Sequence, residues 1–341
     1  MPATSRRPST DETTAAPDLP QGWSPAVTAR HEARLMHLAG RFTSTRTLRR
    51  PDLLARAVRG RVVVITGASS GVGAALAGLC ADAGAQVVIC ARSADLLEEV
   101  ASEIRSRGGL VDAHCVDLGD DDQVRAFAAA VLRDHGRVDV LVHNAGKSLN
   151  RSVALSGVRP KDLHATLAAN YIGPVRLTMA LLPYMRARGE GHIVNVSTAG
   201  MLMPAVPRWS LYLASKAAFD WWLRCIACEI ADDGIDVTSH YLGSARTKMS
   251  ASDNVLTRLP SQSAEDAARG VAHSIAHRPR VGAWRPLFAV AGMSALLRGP
   301  ADRLAARAYR RIPEPRLSAS RALPQEDLVF GDPAELAQRC G

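Results

Sequence analysis

The run Val62-Val63-Val64-Ile65-Thr66-Gly67-Ala68-Ser69-Ser70-Gly71-Val72-Gly73 constrains this chain more than any other stretch. Four consecutive β-branched residues read as a strand buried on both faces, since a half-exposed strand would alternate apolar with polar. A glycine loop ends the strand, and a helix is expected from Gly71 to about Ala83. Strand, loop and helix in that order can aim backbone N–H groups and a helix N-terminus at a pyrophosphate. Missing Cβ atoms at Gly67, Gly71 and Gly73 permit close approach and unusual φ. The spacing is GxxxGxG rather than the commoner GxGxxG.

The same grammar repeats downstream. Strands are expected at 86–90, 111–116, 138–142, 192–196 and 235–241, with a short last one at 280–284. Helices are expected at 93–107, 120–135, 161–188, 212–232 and 264–277. Short apolar strands alternating with helices imply an α/β fold, a Rossmann-type doubly wound parallel sheet with helices on both faces. Its ligand would sit at the carboxyl ends of the strands.

The flanks differ from this body. Residues 1–22 are rich in Pro, Ser, Thr and Asp and read as a disordered N-terminus. Residues 23–58 read as a basic helical arm that packs on the body or contacts an anionic membrane or a protein partner. The dinucleotide-binding catalytic domain is expected to span 59–284. Residues 285–341 form a tail expected to be helical, mostly apolar from Leu287 to Leu297 and Arg-rich from Arg298 to Arg311. The tail packs on the body, covers a substrate cleft, or makes a dimer or interfacial membrane contact.

The net charge is +9, and only four of the 42 basic residues are lysine. Such a balance favours anionic partners, among them phosphorylated cofactors and acidic membrane surfaces. No nucleic-acid motif accompanies it, so nucleic acid is not expected as a partner. The polar N-terminus lacks the apolar core of a secretory signal, and no apolar run reaches the roughly 20 residues of a membrane span. A cytoplasmic protein is expected, with peripheral contact at the inner membrane surface as a variant. The cysteines, including Cys225-Ile-Ala-Cys228, read as small buried hydrophobes, and no histidine shows metal-ligand spacing; no metal is expected.

Tyr212 and Lys216 stand at i and i+4 of one helix face. A free phenol has a pKa of about 10, too high for efficient proton transfer near neutrality. A neighbouring ammonium favours the phenolate, so Lys216 is expected to lower the Tyr212 pKa. The phenol can then exchange a proton with a carbonyl or alcohol oxygen while hydride moves. The second strand ends in Cys90-Ala91-Arg92. A carboxylate near here suits the ribose 2′-OH of NAD, whereas an arginine suits the 2′-phosphate of NADP. NADP(H) is therefore expected in preference to NAD(H).

Across about residues 60–280 the chain resembles the short-chain dehydrogenase/reductase family. The resemblance rests on TGASSGVG at 66–73, Asn144-Ala145-Gly146 after the fourth strand, Asn170, and YLASK at 212–216. It implies a nicotinamide cofactor held by Gly67, Ser69, Ser70, Gly71, Val72, Gly73, Asn144, Ala145, Gly146, Tyr212 and Lys216. It assigns Asp117 and Leu118 to the adenine, Thr247 to the carboxamide, and Lys216 to the nicotinamide ribose. It also implies an Asn-Ser-Tyr-Lys tetrad in which Asn170 holds a water that links Lys216 to solvent. The family's serine pair reads Ser197-Thr198 here; register gives the catalytic hydroxyl to Thr198, with Ser197 the alternative. Leu242-Gly243 stands where the family often has Pro-Gly. The family's usual assembly is a homodimer or homotetramer.

Further likeness is to actinobacterial members acting on fatty acyl or other lipophilic substrates, including acyl-CoA reductase domains. It rests on His143 to Ser148, Asn170 to Thr178, Gly191 to Ser197, Pro207 to Ser210 and His277 to Arg280. Trp209, Trp221, Trp222, Met201 and Met203 flank the expected cleft. The expected function is an NADP(H)-dependent oxidoreductase interconverting a ketone or aldehyde and its alcohol on an apolar, lipid-like small molecule. The rival class is a non-catalytic NADP-binding sensor or scaffold, associated with a membrane surface in one variant.

Overall fold

The computed structural model describes residues 47–48, 50–153, 156, 159–246, 261–283 and 286–310. Helix α1 (Pro51–Val58) precedes strand β1 (Val62–Thr66), helix α2 (Gly71–Asp82), β2 (Gln86–Ala91), α3 (Ala94–Ser106), β3 (Leu110–Cys115), α4 (Asp121–His135) and β4 (Val140–His143). Helix α5 (Pro160–Leu167) runs through a π-turn (Ala168–Ile172) into α6 (Gly173–Arg188). Strand β5 (Gly191–Thr198), a 3-10 turn (Ala199–Leu202), α7 (Ser210–Glu229), β6 (Ile235–Leu242), α8 (Ala264–His277) and β7 (Val281–Gly282) complete the body. Helices α9 (Pro286–Leu296) and α10 (Arg298–Tyr309) follow.

The strands form one parallel sheet in the order β3-β2-β1-β4-β5-β6-β7. Alternate residues of β1 serve opposite layers, which is why the strand is apolar throughout. Val63 and Ile65 pack with Leu76 and Cys80 of α2, Ala101 of α3 and Val271 of α8. Val62 and Val64 pack with Phe127 of α4 and Leu177 of α6. Ile193 of β5 meets Phe219 and Leu223 of α7. Strand order reverses between β1 and β4, opening a crevice at their carboxyl ends where ligands of such sheets bind.

Of the expected arm, only its end lies among the described residues. Leu54 and Val58 of α1 are buried in the core, and Leu48 N–H donates to Arg269 O at 3.1 Å. The expected helix at 161–188 is interrupted for a readable reason. Pro174 has no N–H to give to the Asn170 carbonyl, and Gly173 N–H donates to Ala168 O, five residues back. The expected burial of the cysteines is corrected at three positions. Cys80 and Cys90 are buried, and burial pushes both thiols up to about 12. Cys115, Cys225 and Cys228 are exposed instead, because each falls on the solvent side of its element.

Candidate active site

The glycine loop is clamped from both sides. Gly67 and Ala68 donate to Cys90 O at 2.7 and 3.3 Å. Asn144 Nδ2 donates to Thr66 O and to Gly67 O, each at 3.0 Å. The Thr66 hydroxyl accepts from Asn144 N and Ala145 N at 3.1 and 3.0 Å. A Cβ on Gly67 would lie 2.6 Å from Ala145 Cα, and one on Gly73 2.4 Å from both Asn144 Nδ2 and Gly67 O. Gly67 and Gly71 also take φ of 69° and 60°, the left-handed region.

This cradle fits a dinucleotide pyrophosphate. Ser70 precedes α2 without a side-chain hydrogen bond to its first turn, whereas Asp120 and Ser263 do cap α4 and α8. The N–H groups of α2 are thus left for an anion. Ser69 and Ser70 are half-buried in the loop, and Val72 is buried in the core beneath it. Arg92 is exposed one residue past β2, beside the strand end that anchors the loop. No carboxylate pairs with it among the described residues. Asp117 is exposed after β3 and accepts from Gly119 N at 2.9 Å, while Leu118 is buried. The expected carboxamide contact, Thr247, lies outside the described residues.

The polar side chains of the site come from α7, the π-turn and β5. Tyr212 sits in the first turn of α7, which begins two residues before its expected start. The π-turn carries Asn170, which is 1% exposed. Its Oδ1 accepts from Lys147 N at 2.7 Å, and its Nδ2 donates to Lys147 O at 3.0 Å and Ser215 Oγ at 2.9 Å. Ser215 in turn donates to Tyr212 O at 2.8 Å. Asn170 therefore ties the segment after β4 to the helix that bears Tyr212. Lys216 Nζ donates to Val196 O at 3.1 Å. A Cβ on Gly146 would stand 3.2 Å from both Lys216 Nζ and Asn170 Oδ1, so the glycine keeps open the space between them.

The structure separates the two hydroxyls of β5. Ser197 is buried and donates to Met201 Sδ at 3.1 Å. Thr198, on the opposite side of the strand, hydrogen-bonds the Tyr212 hydroxyl and pulls its pKa down. Burial outweighs that effect, however, and the Tyr212 pKa stands above its ordinary value. This corrects the expectation that Lys216 lowers it. The ammonium of Lys216 is turned to a backbone carbonyl and is itself desolvated, which brings its pKa down to about 8.

Several contributors carry weaker sequence signals. Trp209 is buried and meets Tyr212 edge to face at 5.6 Å. Trp221, by contrast, is 63% exposed under Arg224, and Trp222 stacks on Phe219 in the core. Asp220, one turn beyond Lys216, accepts from Asn195 Nδ2 at 3.2 Å and Tyr241 OH at 2.8 Å, locking α7 to β5 and β6. His143, His192 and His240 are buried and bind Thr178, Thr238 and Ser274, as structural histidines do.

A family model described as short chain dehydrogenase matches residues 61–255. An uncharacterised oxidoreductase of Mycobacterium tuberculosis is 41% identical over 227 residues, which is 66% of this chain and 66% of that protein. The match thus spans just under two thirds of that relative's length. A fatty acyl-CoA reductase of Acinetobacter baylyi is 40% identical over 223 residues, 65% of this chain and 75% of its own. Among solved structures, a metagenomic short-chain oxidoreductase in complex with NADP is 33% identical, with a TM-score of 0.57, covering 65% of this chain and 93% of that one. The matched segment carries both the glycine loop and the Tyr212–Lys216 helix, and the chain belongs to the short-chain dehydrogenase family of oxidoreductases.

Proposed function

We propose that this protein is an NADP(H)-dependent oxidoreductase that interconverts a ketone or aldehyde and its alcohol on an apolar, lipid-like substrate. The observation that carries the reading is the hydrogen bond between Thr198 and the Tyr212 phenol, with Lys216 one helical turn on, beside the segment that clamps the glycine loop. The bound nicotinamide supplies hydride for reduction and accepts it in oxidation. Tyr212 gives its phenolic proton to the carbonyl oxygen, or takes one from the alcohol. Thr198 holds that oxygen by a hydrogen bond, and Ser197, turned to Met201, supports the strand end. Lys216 binds the nicotinamide ribose. Asn170 fixes the Tyr212 turn and borders the space through which Lys216 exchanges its proton.

Gly67, Ser69, Ser70, Gly71, Val72 and Gly73 hold the pyrophosphate, and Asp117 and Leu118 flank the adenine. Asn144, Ala145 and Gly146 line the path to the nicotinamide. Arg92 takes the 2′-phosphate. Trp209 packs on Tyr212, and Leu213 and Thr198 both border Gly200, which gives the site an apolar flank. That flank, and the two fatty acyl-CoA reductases among the relatives, support a lipid-like substrate.

Fluorescence titration with NADPH and NADH tests the cofactor reading. Tighter NADPH binding is expected, lost by about tenfold or more in Arg92→Ser while NADH affinity stays level. Equal affinity for the two cofactors overturns the Arg92 assignment. Tyr212→Phe should keep NADPH binding and lose turnover of long-chain aldehydes or ketones. Unchanged turnover in that variant would overturn the catalytic assignment.

A further inference from the structure

Helix α9 contains no charged side chain, yet much of it faces solvent. Phe288, Val290, Met293 and Leu296 are 44%, 36%, 57% and 83% exposed, and Leu297, just beyond, is 49% exposed. Only Leu287 is buried against the body. Helix α10 follows at once with Arg298, Arg303 and Arg307, and Arg310 comes next, against the single carboxylate Asp302. Arg298 lies 3.9 Å from Asp302. Arg303, Arg307 and Arg310 make no ion pair among the described residues.

A contiguous exposed apolar surface marks an interaction site. An 11-residue helix is about 16 Å long, roughly half the hydrocarbon thickness of a bilayer, so α9 does not span one. An apolar segment joined to a basic one suits the plane of an anionic membrane surface. A second copy docked symmetrically would set the same patch against itself and bring the arginines of α10 together. Residues 311–341 carry four arginines and five carboxylates, and so offer those arginines almost no net negative charge.

We infer that α9 and α10 form a docking surface for an anionic lipid bilayer, α9 lying at the headgroup–acyl boundary and the α10 arginines on lipid phosphates. Helix α9 packs on the turn Ala199–Leu202, which immediately follows Thr198. Met203 and Val206, next in the chain, are exposed apolar residues as well. Docking through α9 therefore turns the Thr198–Tyr212 site toward the lipid.

Co-sedimentation of the full chain with vesicles tests this. Binding is expected to vesicles containing one third phosphatidylglycerol, not to pure phosphatidylcholine, and should fall as salt rises. Arg303→Gln with Arg307→Gln should weaken partition roughly thirtyfold, and Phe288→Ser with Leu296→Ser about tenfold or more. The substituted side chains are exposed, so thermal midpoints should stay within a few degrees. Absence of vesicle binding, equal binding to neutral vesicles, or binding indifferent to both double variants overturns the inference. If the Phe288/Leu296 pair instead changes the oligomeric state of lipid-free protein without vesicle binding, the face belongs to a second copy and the inference falls. The readout is lipid binding rather than turnover, so its result is independent of the proposed chemistry.

Discussion

Replacing Gly73 by alanine isolates the steric demand of the cofactor cradle. Gly73 does not take a positive φ, so alanine meets no backbone penalty there. The added methyl would lie 2.4 Å from Asn144 Nδ2 and Gly67 O, and 3.0 Å from Ala68 Cα. Comfortable heavy-atom contacts are about 3.5–4.0 Å, so something must move by about 1 Å. Asn144 is the mobile partner, and its retreat breaks two hydrogen bonds to the loop. Overpacking costs about 1–3 kcal/mol, and each lost bond about 0.5–1.5 kcal/mol. The sum is about 2–6 kcal/mol, or a fall in Tm of roughly 4–24 °C for a body of this size. Thermal unfolding followed by circular dichroism measures it, with dinucleotide affinity expected to fall at least about tenfold as the loop shifts. Gly292→Ala is the matched control. Nothing lies within 4 Å of its added methyl, and alanine within α9 should be neutral or stabilising by up to about 1 kcal/mol. A Gly73→Ala protein that melts within about 2 °C of the parent and binds cofactor unchanged would refute the clamp.

Three further outcomes are expected. Thr198→Ala should reduce kcat about 100-fold or more, with NADPH binding retained, while Ser197→Ala changes it by less than about fivefold; the reverse order would return the role to Ser197. Burial brings Lys216 to about 8 from 10.5, so between these values the unfolded chain binds more protons and folding stability rises with pH. Below about pH 8 the full cost of the buried charge is present. Urea denaturation at pH 7.5 and pH 10 should show Lys216→Met losing about 2 kcal/mol of that rise relative to the parent; identical pH slopes would contradict the desolvation. Asn170→Ala removes three hydrogen bonds at a buried site and should cost about 2–4 kcal/mol, read as a lower urea midpoint at constant m; an unchanged midpoint would show that the tie between Lys147 and α7 carries no weight.

The strand and helix grammar was legible because burial on both faces of a parallel sheet leaves a direct mark on composition. β1, β2 and β4 read as apolar runs, and α8 was placed at its observed bounds, 264–277. The π-turn was not foreseen, although Pro174 marks it: Ala168 and Ala169 are good helix formers, and the break comes from an N–H missing five residues later. The role of Thr66 as the hub between β1 and the Asn144 segment was also missed. A threonine at a strand end has no local signature, and its partners arrive from 76 to 79 residues away. The cysteine expectation failed for a related reason: hydrophobicity says that a residue can be buried, not which side of its element will face the core.

Sequence alone determined the layered parallel sheet, the position of the glycine loop and the helical pairing of Tyr212 with Lys216. Each follows from residues close together in the chain, through strand period, backbone freedom at glycine and the i to i+4 geometry of a helix. Tertiary structure decided which hydroxyl of Ser197-Thr198 meets the phenol, because adjacent strand residues point to opposite faces. It also decided that Tyr212 is held above its ordinary pKa and Lys216 below its own, since desolvation depends on what surrounds a group. And it left α9 apolar and uncovered beside the site, a fact about packing that the eleven residues of that helix do not carry in their order.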